Sequence, residues 1–444
     1  MLRTRRKTPQ LVTEAAEVTD LDHEGRGVAH IDGKAVFIDD ALPGERVHWQ
    51  RSRSTPTFDE GRLASLLRAS PHRVEPECPH FGVCGGCVLQ HLSPEQQIAF
   101  KQRRLLEALS RIGQVAPSSI LPPLQGPAWH YRRRARLGAR WVAKKQKTVV
   151  GFRERSSSFI ADLRTCPILA EPVAQLIEPL SVLLSSLSLR ARIPQIEVAV
   201  ADRVTALVFR VLDEPTAQDR ESLEAFQRAH GIEVYLQPGG YETVAPVMGT
   251  ASPLEYRLSA FDVTIRFQPT DFIQVNGVLN AVMVERAVEW LAPTAEDRVL
   301  DLFCGLGNFS LPIARSGASV TAVEGEAALV ARARENATRN GLANVEFHTA
   351  DLFAEDLARA AWAQRPYDKV LLDPPRAGAR EVLPMIASSG ATRVVYISCH
   401  PGTFARDAGL LVNEHNFELE AAGVMDMFPH TAHVESMGVF TRSG

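Results

Sequence analysis

Hydrophobic positions change rhythm along this chain. Over residues 10 to 67 they come in short runs such as Val36, Phe37 and Ile38, broken by glycine, aspartate and proline. That texture predicts short strands joined by tight turns, a small β-barrel rather than helices. The stretch "SPEQQIAFKQRRLLEALSRIG" then sets Ile98, Leu105, Leu106 and Leu109 on one helical stripe. Its leading serine and proline suit a helix start. Residues 125 to 262 return to strand-like runs, "QIEVAVADRVTALVFRVL" and "YRLSAFDVTIRF" among them, with one helical interruption expected. From about residue 270 apolar strands alternate with amphipathic helices, the pattern of parallel βαβ units. Strands are expected at "RVLDLF", "SVTAVE", "VEFHTA", "KVLLD" and "RVVYIS". The chain thus reads as multidomain, a β-barrel and a β-rich middle followed by a doubly wound, Rossmann-like α/β domain.

Length and composition agree with that division. A chain of 444 residues is too long for one ordinary core. Its composition, 45% hydrophobic and 23% charged, is that of a soluble globular protein. It has no run of eighteen apolar residues, and the basic start "MLRTRRKTPQ" lacks a secretory apolar stretch, so a cytoplasmic location is expected. The net charge of -3 hides a local field: residues 130 to 155 carry ten Arg or Lys against one Glu, a charge of +9 (10 − 1). Such a run is ordinarily a solvated face. Here Tyr131, Trp141 and Phe152 are interleaved with the charges, which suits phosphate contacts beside stacking platforms. Arg132, Arg133 and Arg134 are the expected RNA contacts.

Candidate chemistry collects at the ends of the predicted C-terminal strands. "VLDLFCGLGNFSL" reads as strand, glycine turn and helix, with Gly305 and Gly307 leaving backbone N–H groups open to a ligand. Glu324 closes the next strand, where a carboxylate can accept both hydroxyls of a ribose. Asp351 of "TADLF" can reach an adenine edge, and Asp373 of "LLDPPRAG" projects at the rim because two prolines cannot continue a strand. Four such features in register favour S-adenosylmethionine over a nicotinamide cofactor, since the third glycine of the dinucleotide fingerprint is missing. Cys399, in "YISCHP", falls at the same edge one strand further on.

A thiolate beside a methyl donor suggests one reaction. Carbon 5 of uracil is a poor nucleophile until attack on carbon 6 turns the ring into an enolate. The methylated adduct must then lose its C5 proton, and "FPHTAHVESMGVF" offers Glu435 as the base, with His430 and His433 nearby in sequence. An amino-methyltransferase would ordinarily carry an aromatic where Arg376 follows the prolines. A non-catalytic RNA-binding protein would need neither Cys399 nor Glu435.

Three of the six cysteines, Cys78, Cys84 and Cys87, lie in "ECPHFGVCGGCVLQH". A disulfide scaffold is excluded by their scarcity, and their spacing leaves structural zinc and an iron-sulfur cluster both open.

The chain resembles the bacterial RNA (uracil-5)-methyltransferases nearly end to end. "EGRGVAHIDGKAVFIDDALPGERV" is similar to a TRAM domain, an OB-like β-barrel, and "CPHFGVCGGCVLQHL" with "RTCPIL" to that family's four-cysteine site. "DFIQVN", "DLFCGLGNFSL", "LLDPPRAG", "YISCHP" and "HTAHVES" resemble its methyltransferase motifs. The resemblance implies Cys399 as nucleophile and Glu435 as base. It implies S-adenosyl-L-methionine held by Gln274, Phe303, Asn308, Glu324, Asp351 and Asp373, and a [4Fe-4S] cluster on Cys78, Cys84, Cys87 and Cys166. It also implies three domains: a TRAM barrel over 1–70, a central iron-sulfur domain over 71–93 and 120–265, and a methyltransferase domain over 94–119 and 266–444. Barrel and cysteines together point to the branch acting on 23S rRNA, at the uridine numbered 1939; no feature of the sequence calls for a partner chain, so a monomer is expected. A different rRNA or tRNA uridine is the alternative.

Overall fold

A computed structural model describes residues 15–155 and 157–442, so the basic start "MLRTRRKTPQ" lies outside the described residues. The chain forms two compact units. One takes in the chain up to Lys101 with Arg153–Ser158 and Pro429–Ala432, and the other takes in Gln102–Phe152, Phe159–Phe428 and the chain from His433 onward.

In the first unit the strands Ala15–Glu17, Asp20–Leu21, Gly27–Ile31, Lys34–Asp39, Arg46–Ser54 and Phe58–Arg68 form one six-stranded sheet, ordered first, fifth, sixth, fourth, third, second. Alternate side chains turn inward, as the pleat requires. Val36 and Ile38 join Val18, Ala29, Val47 and Trp49 in a closed core, while Phe37 between them stays at the surface side. The short runs read from the sequence are these strands.

The second unit holds two larger sheets. Six strands between Arg134 and Pro246 make the first, flanked by the helices Val173–Ser186 and Ala217–His230. Two helices stand where one was expected. The first carries Pro179 inside its apolar stripe, a residue that ordinarily ends a helix. The other has its own complete punctuation, a Thr216–Asp219 capping box and left-handed Gly231 at its end.

The other sheet has eight strands, in the order Val345–Thr349, Ser319–Glu324, Arg298–Leu302, Lys369–Leu372, Arg393–Ser398, Glu435–Thr441, Glu418–Met425, Ser119–Ile120. The first five are parallel and sit where the apolar runs placed them. Glu435–Thr441 inserts antiparallel beside Arg393–Ser398. Chain order reverses between Arg298–Leu302 and Lys369–Leu372, so a crevice is expected outside the carboxyl ends of those two strands. The helix expected at the "SPEQQ" stretch runs Pro94–Ala108 and closes in a wider turn over Leu109–Gly113. Its Leu105 and Leu109 are fully buried in the core of this sheet.

Candidate active site

The crevice is built where the sequence turns most sharply. After Arg298–Leu302 the backbone is left-handed at Phe303 (φ 65°), Gly305 (φ 53°) and Gly307 (φ 91°), which folds the loop back under its own helix. Nothing lies within 4 Å of where a Cβ on Gly305 would stand, so that side of the loop is open. Beneath it Asp301 is fully buried, one carboxylate oxygen accepting the Ser310 hydroxyl and the other without a partner. Burial pushes this carboxyl up to about 7.

Glu324 is fixed before any ligand arrives: its oxygens accept the N–H groups of Gly305 (3.1 Å), Gly325 (2.7 Å) and Glu326 (3.1 Å). The Asn308 amide is likewise held. Its oxygen accepts the Tyr256 hydroxyl (2.9 Å) and Asn280 Nδ2 (3.1 Å), and its nitrogen donates to Asn280 Oδ1 (3.0 Å). One Asn308 N–H is left over for a ligand. Asp351 accepts the Phe353 N–H at 2.9 Å, and the Phe353 ring lies 5.8 Å from that of Phe303. Neither Tyr256 nor Asn280 belongs to a motif, so nothing in the sequence pointed to them.

A cavity of about 620 Å³ opens here. Gln274, Phe303, Asn308, Glu324, Asp351 and Asp373 all line it, and so do Cys399 and Glu435. The last two meet by strand register. Ser398 pairs with Ser436 across the antiparallel ladder, so Cys399, one residue outward, and Glu435, one residue back, come side by side at the rim. Burial pushes the Cys399 thiol up to about 11, the charges of Glu435 and Asp373 adding to it and Arg376 opposing. Asp373 is itself pushed up to about 7 by enclosure of its carboxyl. Arg376 Nη2 lies 3.0 Å from His433 Nδ1 in the same wall. His430 belongs to the first unit instead.

Much of the basic segment is already paired within the protein. Arg133 pairs with Asp202 (2.8 Å), Arg134 with Glu197 (2.6 Å) and Lys147 with Glu178 (3.1 Å), while Arg132 donates to the Arg134 carbonyl. Tyr131 is buried, Trp141 lies under the Arg190 guanidinium and Phe152 under that of Arg132. Acids distant in sequence thus neutralise much of the +9 run, and its aromatics are already covered. Arg140, Lys144 and Arg153 stay exposed.

Cys78, Cys84 and Cys87 lie in the first unit and Cys166, buried, in the second. The thiol loop is pinned by Arg153–Arg155: Gly85 N–H donates to Arg153 O (2.9 Å), Arg155 N–H to Val83 O (3.0 Å), and Arg155 Nη2 to Cys87 O (2.7 Å). Cys84 Sγ accepts the Gly86 N–H at 3.4 Å, a backbone donor of the kind that suits a bound thiolate. Burial raises the Cys84 thiol, and the nearby Cys78 adds to the rise. The donor chemistry fits a thiolate-held group. Among the described residues no group of three or more His, Cys, Asp or Glu side chains that could hold a metal ion is found.

The sequence matches two family profiles, one described as tRNA (Uracil-5-)-methyltransferase over residues 95–443 and one as TRAM domain over residues 13–50. It is 51% identical over 441 residues, 99% of each chain, to the 23S rRNA (uracil(1939)-C(5))-methyltransferase RlmD of Methylococcus capsulatus. The protein of that name from Stenotrophomonas maltophilia is 51% identical over 429 residues, 96% of each chain. Among solved structures, Pyrococcus abyssi tRNA (uracil-54, C5)-methyltransferase in complex with S-adenosyl-L-homocysteine superposes with a TM-score of 0.74 at 22% identity, covering 96% of this chain and 100% of that one.

Proposed function

The chain belongs to the tRNA (uracil-5-)-methyltransferase family, and on that footing we propose that it methylates carbon 5 of uridine 1939 in 23S rRNA, using S-adenosyl-L-methionine. The observation that carries the reading is the register that sets Cys399 beside Glu435 at the rim of the cavity. The choice of RNA is supported by the names of relatives half identical over nearly the whole length and by the TRAM match.

Gln274, Phe303, Asn308, Glu324, Asp351 and Asp373 would hold the cofactor, which supplies a methyl group on a sulfonium. Cys399 thiolate forms a bond to C6, and the C5=C6 electrons move toward O4. The resulting enolate carbon, C5, would take the methyl group as its bond to sulfur breaks, the electron pair staying on sulfur as a neutral thioether. Glu435 then removes the C5 proton, and the electrons of that C–H bond re-form the double bond and expel the thiolate. The target base has to leave its stack to reach this rim, at a cost of roughly a few kcal/mol that RNA contacts must offset. The TRAM sheet is our candidate for supplying them.

Incubation of 23S fragments with radiolabelled S-adenosylmethionine, followed by mass-spectrometric mapping, is expected to place 5-methyluridine at position 1939. Label on a T-loop uridine of tRNA instead would move the substrate, and no label on either RNA would remove the enzymatic reading.

We further propose Cys78, Cys84, Cys87 and Cys166 as ligands of a [4Fe-4S] cluster, supported by the burial of Cys87 and Cys166 and the backbone donor on Cys84. Protein purified without oxygen is expected to be brown, with four iron and four sulfide per chain. One zinc per colourless chain would replace the cluster. The three-part domain division stays our reading, helped by the separate sheets of the second unit. No helix among the described residues is long and apolar enough to cross a membrane, and we keep a cytoplasmic monomer as the working picture.

A further inference from the structure

The loop that carries Asp373 and Arg376 leaves the sheet after Leu372 and has no strand neighbour of its own. Bonds to the helix Pro401–Asn413, which begins two residues after Cys399, hold it instead. Asp407 on that helix is fully buried. Its Oδ2 accepts the Ala379 N–H (2.8 Å) from the loop and the Tyr396 hydroxyl (2.7 Å) from the strand that ends at Ser398. Its Oδ1 accepts Arg406 Nε at 2.8 Å, and Arg406 Nη2 reaches on to the Ala377 carbonyl at 2.9 Å. One turn earlier the Thr403 hydroxyl lies 3.1 Å from the Arg376 carbonyl and 3.2 Å from that of His400.

These bonds join three elements that carry reacting or neighbouring groups: the strand before Cys399, the helix after it and the loop bearing Asp373 and Arg376. Sequence is constrained to match. At Gly378 the backbone is left-handed (φ 86°), and a Cβ there would stand 2.5 Å from Asp407 Oδ2 and 2.6 Å from Arg406 Nη2. Only glycine leaves room for the clasp. A buried carboxylate with its acceptors filled by backbone, hydroxyl and guanidinium donors is a rigid anchor, because opening it strands each donor without a partner.

We propose that Asp407 is a positioning residue for the thiol attack: its carboxylate, with the Thr403 hydroxyl, locks the loop Pro374–Ala379 to the helix behind Cys399, so that nucleophile and Arg376 keep one relative geometry. The inference rests on Cys399 being the nucleophile. It predicts that loosening the clasp slows formation of the Cys399–C6 bond far more than it weakens cofactor binding, since of the residues expected to hold the cofactor only Asp373 lies at the clasped loop, while Asn308, Glu324 and Asp351 have other anchors.

The test uses the full chain, S-adenosylmethionine and RNA in which the target uridine is 5-fluorouridine, which holds the adduct because no C5 proton can be removed. The rate of appearance of a denaturant-stable protein–RNA complex is measured for wild type, Asp407→Asn, Thr403→Val and Thr403→Ser, with cofactor binding by equilibrium dialysis. Asp407→Asn is expected to slow the complex roughly 100-fold, the scale of a small misplacement of a reacting group. Thr403→Val should slow it less, Thr403→Ser should match wild type, and cofactor dissociation constants should move far less than the rate. Should Asp407→Asn fail to fold, the Val and Ser pair decides. Wild-type rates in folded Asp407→Asn or in Thr403→Val overturn the proposal, and so does a loss of cofactor affinity in proportion to rate. If wild type itself traps no complex, the nucleophile reading falls and takes this one with it.

Discussion

Cys399→Ala is expected to abolish methyl transfer, a loss on the order of 10⁴-fold or more as for other covalent nucleophiles, with cofactor binding unchanged. No alternative route is available to the substrate, because C5 of an unactivated uracil does not attack a sulfonium. The cofactor side should not notice, since Glu324 and Asn308 are oriented by Gly305, Tyr256 and Asn280 rather than by the thiol. Wild type should also show a sloping pH profile. Burial holds the Cys399 thiol at about 11 in the free protein, so at neutral pH the thiol dominates and the reactive thiolate is the minor form. Because deprotonation creates the nucleophile, kcat/KM for RNA is expected to rise with pH, roughly tenfold per unit between about pH 7 and 9. A flat profile over that range would mean that bound RNA or cofactor has already ionised Cys399.

Much of this site could be read from residue order because its chemistry sits where strands end. Apolar runs located the five parallel strands, and the polar residue just past each run, Glu324, Asp373 and Cys399 among them, fell at the same edge without further information. Pairing across the fold was not readable in that way. Glu435 reaches Cys399 only because the last strand inserts antiparallel beside Arg393–Ser398, a topology that local periodicity does not encode. The same limit hid the partners of the basic segment. Arg133 and Arg134 are neutralised by Asp202 and Glu197, acids more than sixty positions away. Asp407 was invisible for a third reason: a charged residue on an amphipathic helix is ordinarily assigned to the solvent side, whereas this one is fully buried with four donors around it.

Glu435→Gln should behave differently from Cys399→Ala, and the difference separates the two roles. Glu435 raises the Cys399 thiol through its charge, so removing that charge lowers the thiol and attack on C6 should be at least as fast as in wild type. Methyl transfer to C5 then proceeds, since Gln keeps the shape of the rim. What fails is the last step: an amide cannot take the C5 proton, and without its loss the thiolate is not expelled. The expected result is a burst of one methyl group per protein followed by turnover reduced about 10²–10⁴-fold, the span of a general base. A denaturant-stable complex should form with ordinary uridine RNA, without any fluorinated analogue. Full turnover in Glu435→Gln would show that another group removes the proton. The nearest imidazole in the wall, His433, is a poor substitute, because its Nδ1 already faces the Arg376 guanidinium at 3.0 Å and would have to give up that contact to accept a proton there.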